Sequence, residues 1–274
     1  MSTNVTGSAG WRHRLVPWAP LLVLAALWEA ATRLSLLDPM LLPPFSAVLR
    51  RGWQLLVSGR LLGDVAASAW RVLLGFGAAA LLALPAGIAL GLYPLLEELG
   101  SVLLSALRPL SPPAWIPLAI LWFGIGDPPA LFIIFVGTFF SLLVGTLAAT
   151  KAVEPQLIKA ALTLGASRRQ SIWYAILPRL VPALLTQARI GLGLAWMCVI
   201  AAEMVAVRRG VGFLMIEARN LFRTEDVIVG MIAVAMVGLA TETLLLRVEK
   251  VVCRWRAGLE PSRLYAQALR EHRP

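Results

Sequence analysis

Long apolar segments alternate with short polar ones along this chain. A helix needs about 20 apolar residues to cross a hydrocarbon core about 30 Å thick. Six segments are close to this length or exceed it: Leu15–Ala31, Asp64–Tyr93, Ser101–Ile125, Ala130–Thr150, Ala183–Val207 and Val227–Arg247. The pattern predicts an all-α membrane protein with six transmembrane helices and both termini on the same side of the bilayer.

The first apolar segment follows Arg12 and Arg14. A basic start before an apolar run is also typical of a cleaved signal peptide, but this run is long and no small-x-small cleavage site precedes Arg33. We therefore expect an uncleaved first span. Between the first and second spans, the stretch Phe45–Ser58 has apolar positions at helical spacing, which predicts an amphipathic helix.

The third apolar segment contains Pro109, Pro112, Pro113 and Pro117. Each proline inside a helix removes a backbone hydrogen bond, so we expect a break near Arg108–Trp115. Broken helices of transporters often line the substrate site with freed backbone groups. The residues predicted to line a pathway on this ground are Arg108, Ser111, Pro113 and Trp115.

The composition agrees with a bilayer protein, since 59% of the residues are hydrophobic and 15% are charged. The net charge of +10 does not indicate nucleic-acid binding. The basic residues fall mainly in the loop 151–179 and after Arg247, which is typical of cytoplasmic segments. We divide the chain into a cytoplasmic tail (1–14), a transmembrane domain (15–247) that contains this loop, and a basic cytoplasmic tail (248–274).

The residues exclude several kinds of enzyme. None of the three lysines follows a glycine, so no phosphate-binding loop of the GxxxxGK[ST] type is present. His13 and His272 lie near the termini, outside the spans, which leaves no serine–histidine or histidine–metal chemistry in the membrane. Cys198 and Cys253 have no metal-ligand spacing. We expect no catalytic residues, no metal site and no cofactor bound by this chain.

The polar loop before the fifth span carries more structure than a connector needs. Leu157, Ala161 and Leu164 form one apolar stripe at helical spacing. Gly165 is placed to end that helix in the left-handed conformation, and Ser167 is placed to cap a following one. The stripe fits either a docking surface for a cytoplasmic partner or an amphipathic helix lying on the lipid.

The stretch KAALTLGASRRQSIWYAILPRLVP, residues 159–182, resembles the "EAA" loop of ABC importer permeases. Lys159 stands where that motif has glutamate, so Glu154 is a candidate to replace its contact. LLPPFSAVLR, AWRVLLGFG, PPAWIPLAILWFGIGDPPALFI and GLGLAWMCVIAAEMV extend the resemblance to permeases of the nitrate/sulfonate/taurine/bicarbonate group.

This resemblance implies a type I ABC importer in the bacterial inner membrane. Two permease copies, expected to form a homodimer, would form the pathway. Two separate ATPase subunits would bind ATP and Mg, and an extracytoplasmic binding protein would deliver the solute. The residues implied to couple this chain to the ATPase are Glu154, Leu157, Lys159, Ala160, Ala161, Leu164, Gly165, Ala166, Ser167 and Arg168.

Polar and small residues in and after the fifth span suggest further sites. Glu203 is either a pathway acid or a structural partner of Arg189 or Arg208, and Trp196 is a further pathway candidate. The basic residues expected to meet the binding protein are Arg208, Arg209, Arg219 and Arg223.

The sequence thus predicts a permease subunit, not an enzyme, that imports a small anion such as an organosulfonate or nitrate. One alternative is a stand-alone secondary carrier. Another is the same importer carrying bicarbonate or a thiamine-precursor-like solute. The solute itself is not fixed by these residues.

Overall fold

The computed structural model describes residues 19–34, 38, 40–107 and 110–254, and within them the chain is helical. The helices before the central polar loop are α1 (Ala19–Arg33), α2 (Phe45–Val57), α3 (Arg60–Leu92), α4 (Pro94–Leu107), α5 (Ile116–Phe123) and α6 (Asp127–Lys151). A 3₁₀ turn, Pro112–Trp115, precedes α5. The later helices are α7 (Pro155–Thr163), α8 (Arg168–Ser171), α9 (Leu177–Ala206), α10 (Val211–Asn220) and α11 (Thr224–Val252), with a π-helical segment Ile172–Ile176 between α8 and α9.

Four helices of the described ranges are long and apolar enough to cross a membrane: Arg60–Leu92, Asp127–Lys151, Arg169–Ala206 and Thr224–Val252. They correspond to the second, fourth, fifth and sixth predicted spans. The first predicted span is represented by α1, which has 15 described residues. The third is divided into α4, the 3₁₀ turn and α5, as its prolines predict; Arg108 and Pro109 lie outside the described residues.

Three connections between the predicted spans are helical. The segment between the second and third spans begins α4, because Pro94 occupies a first helical position and Glu97 lies in the first turn, where a carboxylate is favoured. The segment between the fifth and sixth spans contains α10. The helix predicted after Ser167 continues into the fifth span, so that span begins earlier than the expected Ala183.

The core lies where α3, α6 and α9 pack together. Ile133, Ile134 and Leu142 of α6 are fully buried, as are Ala195 and Val199 of α9. This cluster positions the two ends of α9, where the candidate sites lie.

Small residues let α3 approach α6 closely. A Cβ atom at Gly75 would lie 2.8 Å from Ile134 Cβ, and one at Gly87 would lie 2.7 Å from Thr146 Cβ. Close packing of this kind is typical of transmembrane helices that carry small residues where they meet.

Candidate functional site

The segment expected to couple the chain to a partner forms a short helix on the surface. Glu154 takes the N-cap position of α7 with extended backbone, and Pro155 opens the helix. Lys159 and Ala160 are exposed, and Ala161 is half-buried. The apolar stripe faces outward, since Leu157 is 39% and Leu164 89% exposed.

The opposite face of α7 holds it to the protein. Ile158 and Leu162 line a cavity of about 220 Å³ together with Ser171, Ile172 and Ile176 of the following helical segment. The helix therefore has two apolar sides, one that lines this cavity, where Leu162 is still 48% exposed, and one that is uncovered.

Gly165 ends α7 as the sequence predicts. Its φ of 85° is in the left-handed region, where a side chain is disfavoured. The Gly165 N–H donates to Leu162 O at 3.0 Å, and the Ala166 N–H donates to Ala161 O at 3.1 Å. These two bonds form a Schellman motif and satisfy carbonyls at the end of α7.

Ser167 caps the next helix as predicted. The Gln170 N–H donates to Ser167 Oγ at 3.3 Å, and the Ser167 N–H donates to Gln170 Oε1 at 2.8 Å. This reciprocal pair is a capping box. Arg168 is the first residue of α8, and its side chain is outside the described part of the structure.

The connection from the loop to α9 is an unbroken helix with a π turn. The Leu177 N–H donates to Ile172 O, five residues earlier, instead of to a residue four earlier. Pro178 follows directly, and its ring would clash with the carbonyl of residue 174 in a regular α-helix. The wider π turn accommodates that ring, so helical structure extends from Arg169 to Ala206.

A buried charge cluster lies at the other end of α9. The Arg71 guanidinium donates from Nη1 to Glu203 Oε1 at 2.6 Å and to Arg209 O at 2.8 Å. Its Nε donates to Asp127 Oδ1 at 2.7 Å. Glu203 is fully buried and also accepts hydrogen bonds from Ser68 Oγ at 2.8 Å and from the Gly212 N–H at 2.9 Å.

The partner of Glu203 is therefore Arg71, and the expectation of Arg189 or Arg208 as its partner is wrong. The Arg189 guanidinium lies 3.9 Å from Glu249, and the Arg208 side chain is exposed. A carboxylate enclosed by Arg71, Ser68 and Gly212 is in a structural position, so the pathway role predicted for Glu203 is not proposed further.

Two glycines allow the chain after α9 to close over Glu203. Gly210 has a φ of 133°, and a Cβ atom there would lie 2.5 Å from the Glu203 carboxylate. A Cβ atom at Gly212 would lie 2.7 Å from both Glu203 Cβ and Ile200 O. Both contacts are shorter than side chains tolerate, so only glycine fits at these two positions.

The remaining predicted residues are dispersed. Ser111 and Pro113 are exposed, and Trp115 packs half-buried against the core with its ring 6.1 Å from that of Phe132. Trp196 is 6% exposed in α9. The four arginines proposed for docking, Arg208, Arg209, Arg219 and Arg223, are exposed around α10. Arg108 lies outside the described residues.

In the described ranges, no group of three His, Cys, Asp or Glu side chains is placed to hold a metal ion. The candidate sites are thus a surface helix at one end of α9 and an ion-paired cluster at the other.

The family model described as "Binding-protein-dependent transport system inner membrane component" matches residues 79–254. This chain belongs to that family. It is a multi-pass inner-membrane permease component of an ABC transporter, and not itself an enzyme. A binding-protein-dependent system of this kind also contains an ATPase and a binding protein.

Several curated proteins are similar to this permease over most of its length. A putative ABC transporter permease of Methanocaldococcus jannaschii is 38% identical over 84% of this chain and 88% of its own. The taurine transport system permease protein TauC of Escherichia coli is 35% identical over 88% and 89%. The putative aliphatic sulfonates transport permease protein SsuC of E. coli is 31% identical over 89% and 93%.

A solved structure has the same fold. The inward-facing MetNI methionine ABC transporter matches with a TM-score of 0.54 and 19% identity, covering 67% of this permease and 93% of the matched chain.

Sequence reasoning missed three residues of α3 in or beside the charge cluster: Asp64, Ser68 and Arg71. Asp64 accepts a hydrogen bond from the Gly210 N–H at 3.1 Å, and Ser68 accepts one from the Val211 N–H at 3.0 Å. Ser68 follows Asp64 by four positions, and Arg71 follows Ser68 by three. This spacing places all three residues on one face of a helix. That polar stripe inside an apolar span is the signal that would have found them.

Proposed function

We propose that this chain is the six-span permease subunit of an ATP-driven importer for small organosulfonates, with nitrate as the second candidate solute. Two copies would form the pathway. The sulfonate assignment is supported by the similarity to permeases named for taurine and aliphatic sulfonates. ATP and Mg would bind to the partner ATPase, and this chain would hold no cofactor.

The observation that supports coupling to a partner is the exposed outer face of α7. Leu164 is 89% exposed at the end of a helix whose other side lines a cavity with Ile172 and Ile176. Burying a fully exposed leucine contributes about 1.5–3 kcal/mol, so a groove that covers Leu157 and Leu164 would stabilise the contact with a partner. Glu154 and Lys159, also exposed, would form the polar rim of that contact.

A continuous helix after α7 supports the proposal that a displacement of α7 would be transmitted to the membrane. The inner face of α7 contacts Ile172 and Ile176, and helical structure runs from there to Ala206 without interruption. We therefore assign ten residues to ATPase coupling: Glu154, Leu157, Lys159, Ala160, Ala161, Leu164, Gly165, Ala166, Ser167 and Arg168. Docking of the binding protein is assigned to Arg208, Arg209, Arg219 and Arg223.

Reconstitution in proteoliposomes tests this proposal. With the ATPase and a taurine-loaded binding protein, we expect ATP-dependent taurine accumulation, which an ATPase variant that cannot hydrolyse ATP should abolish. Uptake that continues on an ion gradient with the inactive ATPase would instead identify a secondary carrier.

A further inference from the structure

A cavity of about 500 Å³ lies between α9 and α11. Most of its wall is apolar or small. Four polar or charged side chains also line it: Arg189, Trp196, Thr241 and Glu242.

The two charged residues lie at matching depth in the bundle. Arg189 is 17 residues from Ala206 in α9, and Glu242 is 18 residues from Thr224 in α11. At a rise of about 1.5 Å per residue, Arg189 lies about 25 Å and Glu242 about 27 Å from the helix ends that α10 connects. Opposite charges therefore line one cavity at one level, far from that end.

Among the residues the structure describes, the buried Trp196 N–H and the exposed Glu242 carboxylate have no partner, and Arg189 has only a distant one. Trp196 is 6% exposed, and within the described ranges its Nε1–H has no hydrogen-bond acceptor. Of the residues the structure describes, none places a cation within 4.0 Å of the Glu242 carboxylate. The carboxylate nearest to Arg189 is that of Glu249, at 3.9 Å.

Glu203, at the other end of α9, has the partners that the cavity groups lack. There, Arg71, Ser68 and a backbone N–H satisfy the buried carboxylate. Ionisable residues inside a span are costly and often mark substrate or ion pathways. The buried Trp196 N–H without an acceptor and the Glu242 carboxylate without a cation therefore point to a ligand.

Space for a ligand is provided by two glycines. Gly193 of α9 and Gly238 of α11 line the cavity, and a Cβ atom at either would meet nothing within 4 Å. Because these two positions carry no side chain, they leave room for a ligand between the charged residues.

We propose that this cavity binds the solute in transit and selects small zwitterionic organosulfonates. The Arg189 guanidinium and the Trp196 indole N–H would donate to the sulfonate oxygens, and the Glu242 carboxylate would accept from the ammonium group. The inference rests on the proposed importer function and specifies its substrate class.

The charges of the cavity favour a zwitterion over a simple anion. A sulfonate offers three acceptor oxygens to a planar guanidinium, which is suited to hold oxyanions. A monoanion such as nitrate would leave Glu242 unpaired next to a second negative charge. A solute with an ammonium group a few bonds from its sulfonate pairs with both residues at once.

The test compares taurine with ethanesulfonate, which has the sulfonate but no ammonium group. Uptake is measured in proteoliposomes with the ATPase, the binding protein loaded with each solute in turn, and Glu242→Gln in the permease. We expect taurine uptake to fall about tenfold, the size of one charge-assisted hydrogen bond, while ethanesulfonate uptake stays the same or rises. Trp196→Phe, which keeps the ring and removes the donor, should lower uptake of both sulfonates.

Glu98→Gln and Arg247→Gln are the matched controls, because both residues are exposed and line no part of this cavity; neither should change the ratio of the two uptakes. Equal effects of Glu242→Gln on taurine and ethanesulfonate would overturn the cavity proposal and leave the importer intact. Failure of the unmodified importer to carry either sulfonate would overturn the substrate assignment of both proposals.

Discussion

At the scale of single residues, the most constrained position is Glu203. It is fully buried in an apolar helix, and Arg71 neutralises it across the interface with α3. The same guanidinium also bonds Asp127, whose side chain is 64% exposed. One guanidinium thus pairs with a buried and an exposed carboxylate. Replacing the buried one should lower the free energy of unfolding much more than replacing the exposed one.

Glu203→Gln should destabilise the permease by about 3–5 kcal/mol, because it leaves Arg71 in a buried site without its main counter-charge. Asp127→Asn removes an exposed partner of the same arginine and should cost at most about 1 kcal/mol. Thermal unfolding of the two detergent-solubilised variants measures the difference. Equal losses would mean that Glu203 does not hold the cluster together.

At the scale of elements, α7 depends on how it ends. The left-handed Gly165 reverses the chain after Leu164, and the capping box at Ser167 begins the next helix two residues later. Those few residues fix the angle between the exposed helix and the continuous helix to Ala206. The angle matters because a displacement of α7 must reach the membrane through it.

Gly165→Pro should uncouple ATP hydrolysis from solute uptake while the subunit still inserts and folds. Proline requires a φ near −65° and has no N–H to donate to Leu162 O, so the end of α7 must change its direction. The measurement is the ratio of solute taken up to ATP hydrolysed.

The matched variant is Gly165→Asn, because asparagine tolerates the left-handed conformation better than other residues do. It should keep most of the coupling. No atom lies within 4 Å of a Cβ at this position, so crowding does not confuse the comparison. Coupled uptake by the proline variant at the normal ratio would contradict the proposed role of this turn.

At the scale of the whole molecule, the two ends of the bundle carry different surfaces. At one end, Arg51 bonds Asp226 at 2.5 Å and Arg60 bonds Glu217. The other end, where Lys151 pairs with Glu97, presents α7 with its exposed leucines. An importer that receives a solute at one side and a mechanical input at the other would use such a division.

The proposed topology places Lys159 in the cytoplasm and Arg208 outside. With Cys198 and Cys253 replaced by serine, a membrane-impermeant maleimide should label Arg208→Cys in intact spheroplasts. It should label Lys159→Cys only after lysis. Both positions are exposed in the structure, so access depends on the side of the membrane. The reverse labelling pattern would refute the orientation.

The sequence by itself determined the helical class, the family and the helix ends within the polar loop 151–179. The left-handed Gly165 and the Ser167 cap are set by residues close together in the chain, and both were found where the pattern put them. Of the six predicted spans, four are present within the described residues as single helices long enough to cross a membrane. Proline positions likewise predicted the break before α5. Local chemistry is enough for such features because they involve hydrogen bonds and steric limits over only a few residues.

Tertiary structure alone decided which distant residues meet. Arg71 and Glu203 are 132 positions apart. No local sequence pattern indicates that Glu203 pairs with Arg71 and not with Arg189 or Arg208. The cavity between α9 and α11 likewise exists only where two antiparallel helices bring Arg189 and Glu242 to one depth. Pairings of this kind depend on helix packing, which sums many weak contacts over the whole chain and leaves no local pattern.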